Sequence, residues 1–182
     1  DMYTGANNLK LNASGGKYTF TYNRSTNKLS ISYSAVKYTV TMEAGTGGSA
    51  KAGSTSVNLG DTTTITATPS AGYHFNKWTI GSNATIMSGS TTSTSVTIKV
   101  SGNVTCTASF TGNSGTVKYA AGTGGSVSNS GENSVTYPTE KKSTATASTG
   151  YTFSKWTISG GTKDTDYTIS TGSTTSATIG IK

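Results

Sequence analysis

The chain is short of the residues that most chemistry needs. Its 182 residues include one cysteine, one histidine, two prolines and seven acids. A lone Cys106 excludes a disulfide within the chain. Its setting, NVTCTASF, alternates Val104, Cys106, Ala108 and Phe110, so the thiol reads as a small core hydrophobe and not as a nucleophile. Arg24 is the sole arginine. Base readout and bidentate phosphate contacts lean on arginine, so nucleic acid is not the expected partner despite a formal charge of +7. No apolar run approaches the length of a bilayer span, and no window carries the apolar 3,4-spacing of a helix. No signal peptide or sorting motif is recognisable, so the stretch reads as the interior or mature part of a longer protein.

Catalysis is equally short of candidates. The single histidine, His74, has no serine or cysteine partner recognisable by motif. The acids are Asp1, Glu43, Asp61, Glu132, Glu140, Asp164 and Asp166. In KDTDY, Asp164 and Asp166 stand two apart like a fragment of a calcium loop, but further oxygen ligands are lacking, so a polar loop tip is the expectation. A Lys–Asn isopeptide bond would need a buried acid that no strand supplies. The chain is expected to be no enzyme and to bind no cofactor or metal.

What is plentiful is threonine, serine, tyrosine and 23 glycines. Threonine and tyrosine favour half-buried strands, while glycine, asparagine and serine supply turns. The fold class is therefore all-β: small tandem antiparallel β-repeat domains with an N-terminal β-hairpin.

Self-similarity sets the organisation. AGTGGS occurs at 44–49 and 121–126, and residues 56–80 align without gaps to 134–158, from SVNLGD…GYHFNKWTI to SVTYPT…GYTFSKWTI. STSVTIKV at 93–100 matches TTSATIGI at 174–181. The second copy has no counterpart of the closing GNVTCTASF of the first, which is expected to form a hairpin with the preceding strand across Ser101–Gly102. It also carries Ser143 where the first has Ile65, and Ala177 for Val96. Residues 1–35, centred on GGKYTFTYNRSTNKLSISYSA, read as a hairpin that ends a preceding β-sandwich. The expected domains are then 36–111 and 116–182, with a linker at 112–115 and the last strand of the second domain missing.

The order GTGGS, TATP, GYxFxxW, a Val/Ile hairpin and a final TASF resembles the divergent internalin-B-type B-repeat. It covers 36–110 well and 116–182 less completely, with Ala147 in place of Pro69. The resemblance implies disulfide-free modules of bacterial secreted or cell-surface proteins, used in tandem as stalks, adhesive arms or spacers beside adjacent domains. It carries over no catalytic residue. More loosely, NNLKLNASGGKYTFTYNRSTNKLSISY resembles the closing hairpin of starch-binding β-sandwich modules of gut bacteria, which implies a glycan-active parent protein.

Aromatics in so small a domain supply either a core or a glycan platform. Tyr73, Phe75 and Trp78, with Tyr151, Phe153 and Trp156, are expected to be core. Both copies keep the tyrosine, phenylalanine and tryptophan, while His74 and Asn76 become Thr152 and Ser154. Strict alternation would place Trp78 opposite Phe75 unless the strand shifts phase at Asn76–Lys77. The better glycan candidates are Tyr18, Tyr22 and Tyr33 on the hairpin, with Asn23 and Asn27 beside them; the competing expectation packs these tyrosines on their own domain. Three functions follow: an extracellular spacer or display module, a module binding starch-like polysaccharide, mucin glycans or a host glycoprotein, and a strand-complemented filament formed by head-to-tail self-association.

Overall fold

The computed structural model describes residues 15–182, all-β and without a helix among them. The chain divides into two units, residues 1–68 with 75–109 and residues 69–74 with 110–182.

The first unit opens with the expected hairpin. Strands β1 (Gly16–Asn23) and β2 (Lys28–Ala35) pair antiparallel, with Tyr18 opposite Tyr33, Phe20 opposite Ile31 and Tyr22 opposite Leu29. Residues directly opposite point to the same side of a sheet. Tyr18, Phe20 and Tyr22 therefore share one face with Leu29, Ile31 and Tyr33.

Eight strands follow: β3 (Lys37–Ala44), β4 (Gly48–Ala52), β5 (Ser56–Asn58), β6 (Thr62–Pro69), β7 (Tyr73–Ile80), β8 (Ala84–Ser88), β9 (Ser95–Val100) and β10 (Val104–Gly112). They form two four-stranded sheets, in the orders β5-β3-β10-β7 and β4-β6-β9-β8. Strand alternation turns one side of each sheet inward. Val40, Val57, Trp78, Val104, Cys106 and Ala108 are buried from the first sheet, and Ile65, Ala67, Val96, Ile98 and Val100 from the second. The result is a small β-sandwich.

One expectation fails in an instructive way. β9 and β10 do not form a hairpin across Ser101–Gly102, because they belong to different sheets. Each carries an apolar face, and both faces are buried, Val96, Ile98 and Val100 from one sheet and Val104, Cys106 and Ala108 from the other. Within these antiparallel sheets one strand pairing is parallel. β10 runs parallel to β3, with Val104 beside Val40, Cys106 beside Met42 and Ala108 beside Ala44. A parallel neighbour needs a long crossover, and the intervening strands supply it.

The second unit repeats this plan incompletely. Its strands are β11 (Ser114–Tyr119), β12 (Gly125–Val127), β13 (Gly131–Thr136), β14 (Lys141–Ala147), β15 (Ile169–Gly172) and β16 (Thr178–Ile181). Only Asn113 separates β10 from β11, in the stretch expected to be a linker. The sheet β12-β14-β16-β15 reproduces β4-β6-β9-β8, whereas β11 and β13 pair alone. Tyr119, Ile179 and Ile181 are buried, with Val117, Val127, Trp156, Tyr167 and Ile169 packed partly buried against them. Ser143 fills the place of Ile65; it is fully buried and its hydroxyl donates to the Ser128 carbonyl.

Residues 151–158, the counterpart of β7, form no strand. The cause lies in the sheet order. β7 is held only by β10, and no described residue of the second unit takes the place of β10.

Candidate functional site

The repeated aromatic motif is built around one tryptophan anchor per unit. Trp78 is 2 % exposed, its ring nitrogen donates to the Ser93 carbonyl at 3.0 Å, and its backbone N–H donates to Thr91 at 2.7 Å. Trp156 makes the same two bonds, to Ser176 at 2.9 Å and Thr174 at 2.7 Å. A buried indole N–H needs an acceptor, and both copies meet that need from the Ser/Thr-rich loop before the penultimate strand of the plan. Phe75 lies 5.6 Å from Trp78 and Phe153 lies 5.9 Å from Trp156, ring centre to centre. Asn76 and Lys77 are both exposed, so the alternation does shift phase there and Trp78 turns to the side of Phe75.

Not every ring of the motif is enclosed. Tyr73, Phe75, Phe153 and Trp156 are half-buried. Tyr151, expected in the core, is 55 % exposed. It lies over Gly124, close enough that a Cβ there would strike the ring at 2.1 Å. Among the described residues of the second unit, no strand takes the place of β10 beside this segment.

The hairpin carries the second group of candidates. Phe20, Tyr22, Leu29, Ile31 and Tyr33 are exposed on the shared face, from 40 % to 61 %. Tyr18 is half-buried and its ring centre lies 5.0 Å from that of Tyr33. The asparagines shape the turn: Asn23 Oδ1 accepts the N–H groups of Ser25 and Thr26 at 3.0 and 3.2 Å, and Asn27 adopts φ 49°. Tyr22 donates its hydroxyl to Asn27 Oδ1 at 2.5 Å. The asparagine oxygens are thus engaged by the hairpin itself, and what remains to present outward is the flat aromatic surface.

The polar candidates resolve into local structure. Asp166 Oδ2 accepts the N–H of Thr162 at 2.7 Å, and Lys163 pairs with Asp164 at 2.7 Å. That contact raises the Lys163 ammonium above its ordinary value. No cluster of metal-binding side chains occurs among the described residues. His74 Nδ1 lies 2.9 Å from Asn113 Oδ1 at the surface. Cys106 is fully buried, and burial pushes its thiol up.

Sequence reasoning missed one group. Glu140 accepts hydrogen bonds from Ser170 and from Thr171, the latter at 2.8 Å, and pairs with Lys142 at 2.9 Å. The Ser170 bond, then Lys142 and Thr171, hold its carboxyl down at about 2. Its hydroxyl partners, Ser170 and Thr171, lie on β15, some thirty residues away, so no local signal could reveal the full group.

The second unit also has a groove beside this segment. Ala120–Val127, Ala145–Ala147 and Thr152–Trp156 line a space of about 280 Å³. In the first unit the Gly45 N–H donates to the Ala108 carbonyl of β10 at 2.9 Å. Gly122, which occupies the place of Gly45 in AGTGGS, lines the groove instead.

Two successive strand-built units, each with a tryptophan anchored to a serine-rich loop, define a tandem β-repeat protein. The chain belongs to the divergent InlB B-repeat family, whose model matches residues 38–114 and again 115–179. Domains of this family occur typically in surface or secreted bacterial proteins. No curated protein and no solved structure matches the chain.

Proposed function

We propose that the chain is a non-catalytic spacer and display segment of a secreted or cell-surface bacterial protein, holding neighbouring domains away from their point of attachment. The observation that carries this reading is the tandem repetition of one fold unit with its own internal anchor. Repetition adds length without requiring chemistry, and units that touch chiefly their neighbours extend a chain predictably. The experiment places the segment between a surface anchor and an epitope-tagged head on a bacterial cell. Reach and antibody access should grow when residues 36–111 are duplicated and shrink when they are deleted. A head whose accessibility ignores repeat number would refute the spacer reading.

A second reading is favoured by the hairpin face. Phe20, Tyr22 and Tyr33, each at least half exposed, offer flat surfaces of the kind that stack on sugar rings. As a carbohydrate-binding segment for starch-like or mucin glycans, the protein should be retarded in native gels containing the polysaccharide, and Tyr22→Ala with Tyr33→Ala should abolish the retardation. Unchanged migration in every glycan, at high loading, removes this reading and leaves the first intact.

A further inference from the structure

Residues 69–74 fall within the first copy of the repeat, yet they pack as part of the second unit. Gly72 immediately precedes β7, and Asn113 immediately follows β10. Asn113 donates its N–H to the Gly72 carbonyl at 2.8 Å, and its own carbonyl accepts the N–H of Tyr137 at 2.9 Å. Gly72 adopts φ 81°, and a Cβ on it would meet the Tyr137 ring at 2.7 Å. The left-handed backbone suits glycine, and the close approach of the ring leaves room for nothing larger. Tyr73 then sets its ring edge-on to that of Tyr137, 5.1 Å centre to centre with 84° between the planes.

The same corner occurs within the first unit. Gly15 immediately precedes β1, and Val36 immediately follows β2. Val36 donates its N–H to the Gly15 carbonyl at 3.0 Å, and its own carbonyl accepts the N–H of Leu59 at 3.0 Å. Gly15 adopts φ 77°, and a Cβ on it would meet the Leu59 side chain at 2.8 Å. The receiving residues are equivalent in the two copies. The offset of AGTGGS carries Val36 to Asn113, and the ungapped alignment of 56–80 with 134–158 carries Leu59 to Tyr137. In both places a strand pair ends on a glycine whose carbonyl receives the entry residue of a repeat.

We propose that this glycine corner is the docking site by which one strand pair receives the repeat that follows it in the chain. The partner it fits is the start of a B-repeat, an entry residue that offers both its N–H and its carbonyl. With it comes the bulky residue just after the strand that pairs with the repeat's first strand, Leu59 after β5 or Tyr137 after β13. Two main-chain bonds set the register whatever the side chains, and the glycine leaves space for a large residue opposite. The inference concerns how successive copies are joined and holds whatever the segment displays. Copies joined in this way share a nearest-neighbour stability term, so the second copy draws part of its stability from Gly72 and Tyr73 of the first.

The test follows urea unfolding of the 182-residue chain in a Trp78→Phe background, where Trp156 reports the second copy alone. Tyr73→Ala should lower the Trp156 midpoint although Tyr73 lies in the other copy, and Tyr73→Phe, which keeps the ring, should leave it near its original value. Combined with Tyr137→Ala, the losses should be sub-additive, with a coupling of about two- to tenfold in the unfolding equilibrium constant, as for an aromatic pair. Amide hydrogen exchange gives a readout that needs no substitution. The N–H groups of Val36 and Asn113 should exchange slowly, although both residues are exposed. A Trp156 midpoint that ignores Tyr73→Ala overturns the proposal, and so do additive losses. Rapid exchange at Asn113 overturns it as well, because the boundary between the copies would then be a free linker.

Discussion

Ile65 tests the contrast between the units most directly, because the second copy has already made the substitution. Ile65 is fully buried on β6, and Ser143 stands in its place on β14. Replacing Ile65 by serine removes three apolar carbons, about 2–3 kcal/mol of transfer free energy. The space left behind raises the cost of such truncations to about 2–5 kcal/mol. A hydroxyl without a partner adds about 1–3 kcal/mol. In the second unit the Ser143 hydroxyl has the Ser128 carbonyl as acceptor, which the strand pair β12–β14 was built to provide. The expected loss for Ile65→Ser is therefore about 4 kcal/mol in the first unit. The assay is urea unfolding followed by fluorescence in a Trp156→Phe background, where Trp78 reports that unit alone. The converse change, Ser143→Ile, should return less than the forward change costs, since it strands the Ser128 carbonyl. A loss below about 1 kcal/mol for Ile65→Ser would refute the assignment of position 65 as a core anchor.

Iodide should quench Trp156 more strongly than Trp78, measured in the two single-tryptophan variants, because only Trp78 is fully enclosed; equal quenching would contradict the half-open second core. Cys106 should resist thiol reagents until the first unit unfolds, its labelling rate tracking that opening across a urea series; fast labelling of the native protein would place β10 elsewhere. Glu140 has a native value of about 2 against an ordinary value of 4.5. The native carboxylate therefore holds its charge further into acid than the unfolded one does. Its contribution is full above about pH 4.5 and drains away as pH falls toward 2. Wild type should lose stability through that window relative to Glu140→Gln, read from the midpoint of Trp156 unfolding; parallel pH profiles would show that the Ser170 and Thr171 bonds contribute nothing in solution.

Much of the fold is legible in the sequence for a simple reason. Strand alternation and glycine turns are local, so the strands of the first copy and the hairpin of Tyr18 and Tyr33 can be read directly. Pairing partners are not local. The sequence NVTCTASF after SVTIKV reads as a hairpin because the two stretches are adjacent, and nothing nearby reveals that β10 crosses to the sheet of β3. The same limit governs the site. GYTFSKWTI looks as strand-forming as GYHFNKWTI, yet among the described residues only the latter has a neighbour to pair with, and that neighbour lies some thirty residues downstream. Tyr151 is exposed for this reason and not because its own residue type differs from Tyr73.

The parallel pairing of β3 with β10 has a mechanical consequence. These are the first and last strands of the sandwich, so a pull on the two ends of the first unit draws them in opposite directions along their shared length. From Val40 beside Val104 to Ala44 beside Ala108, the main-chain bonds are loaded together in shear instead of being unzipped one at a time. A unit built this way yields abruptly and at high force. Among the described residues of the second unit, β11 pairs with β13 alone and makes no such parallel contact. A spacer of the kind proposed would draw on this β3–β10 clamp when its ends are pulled.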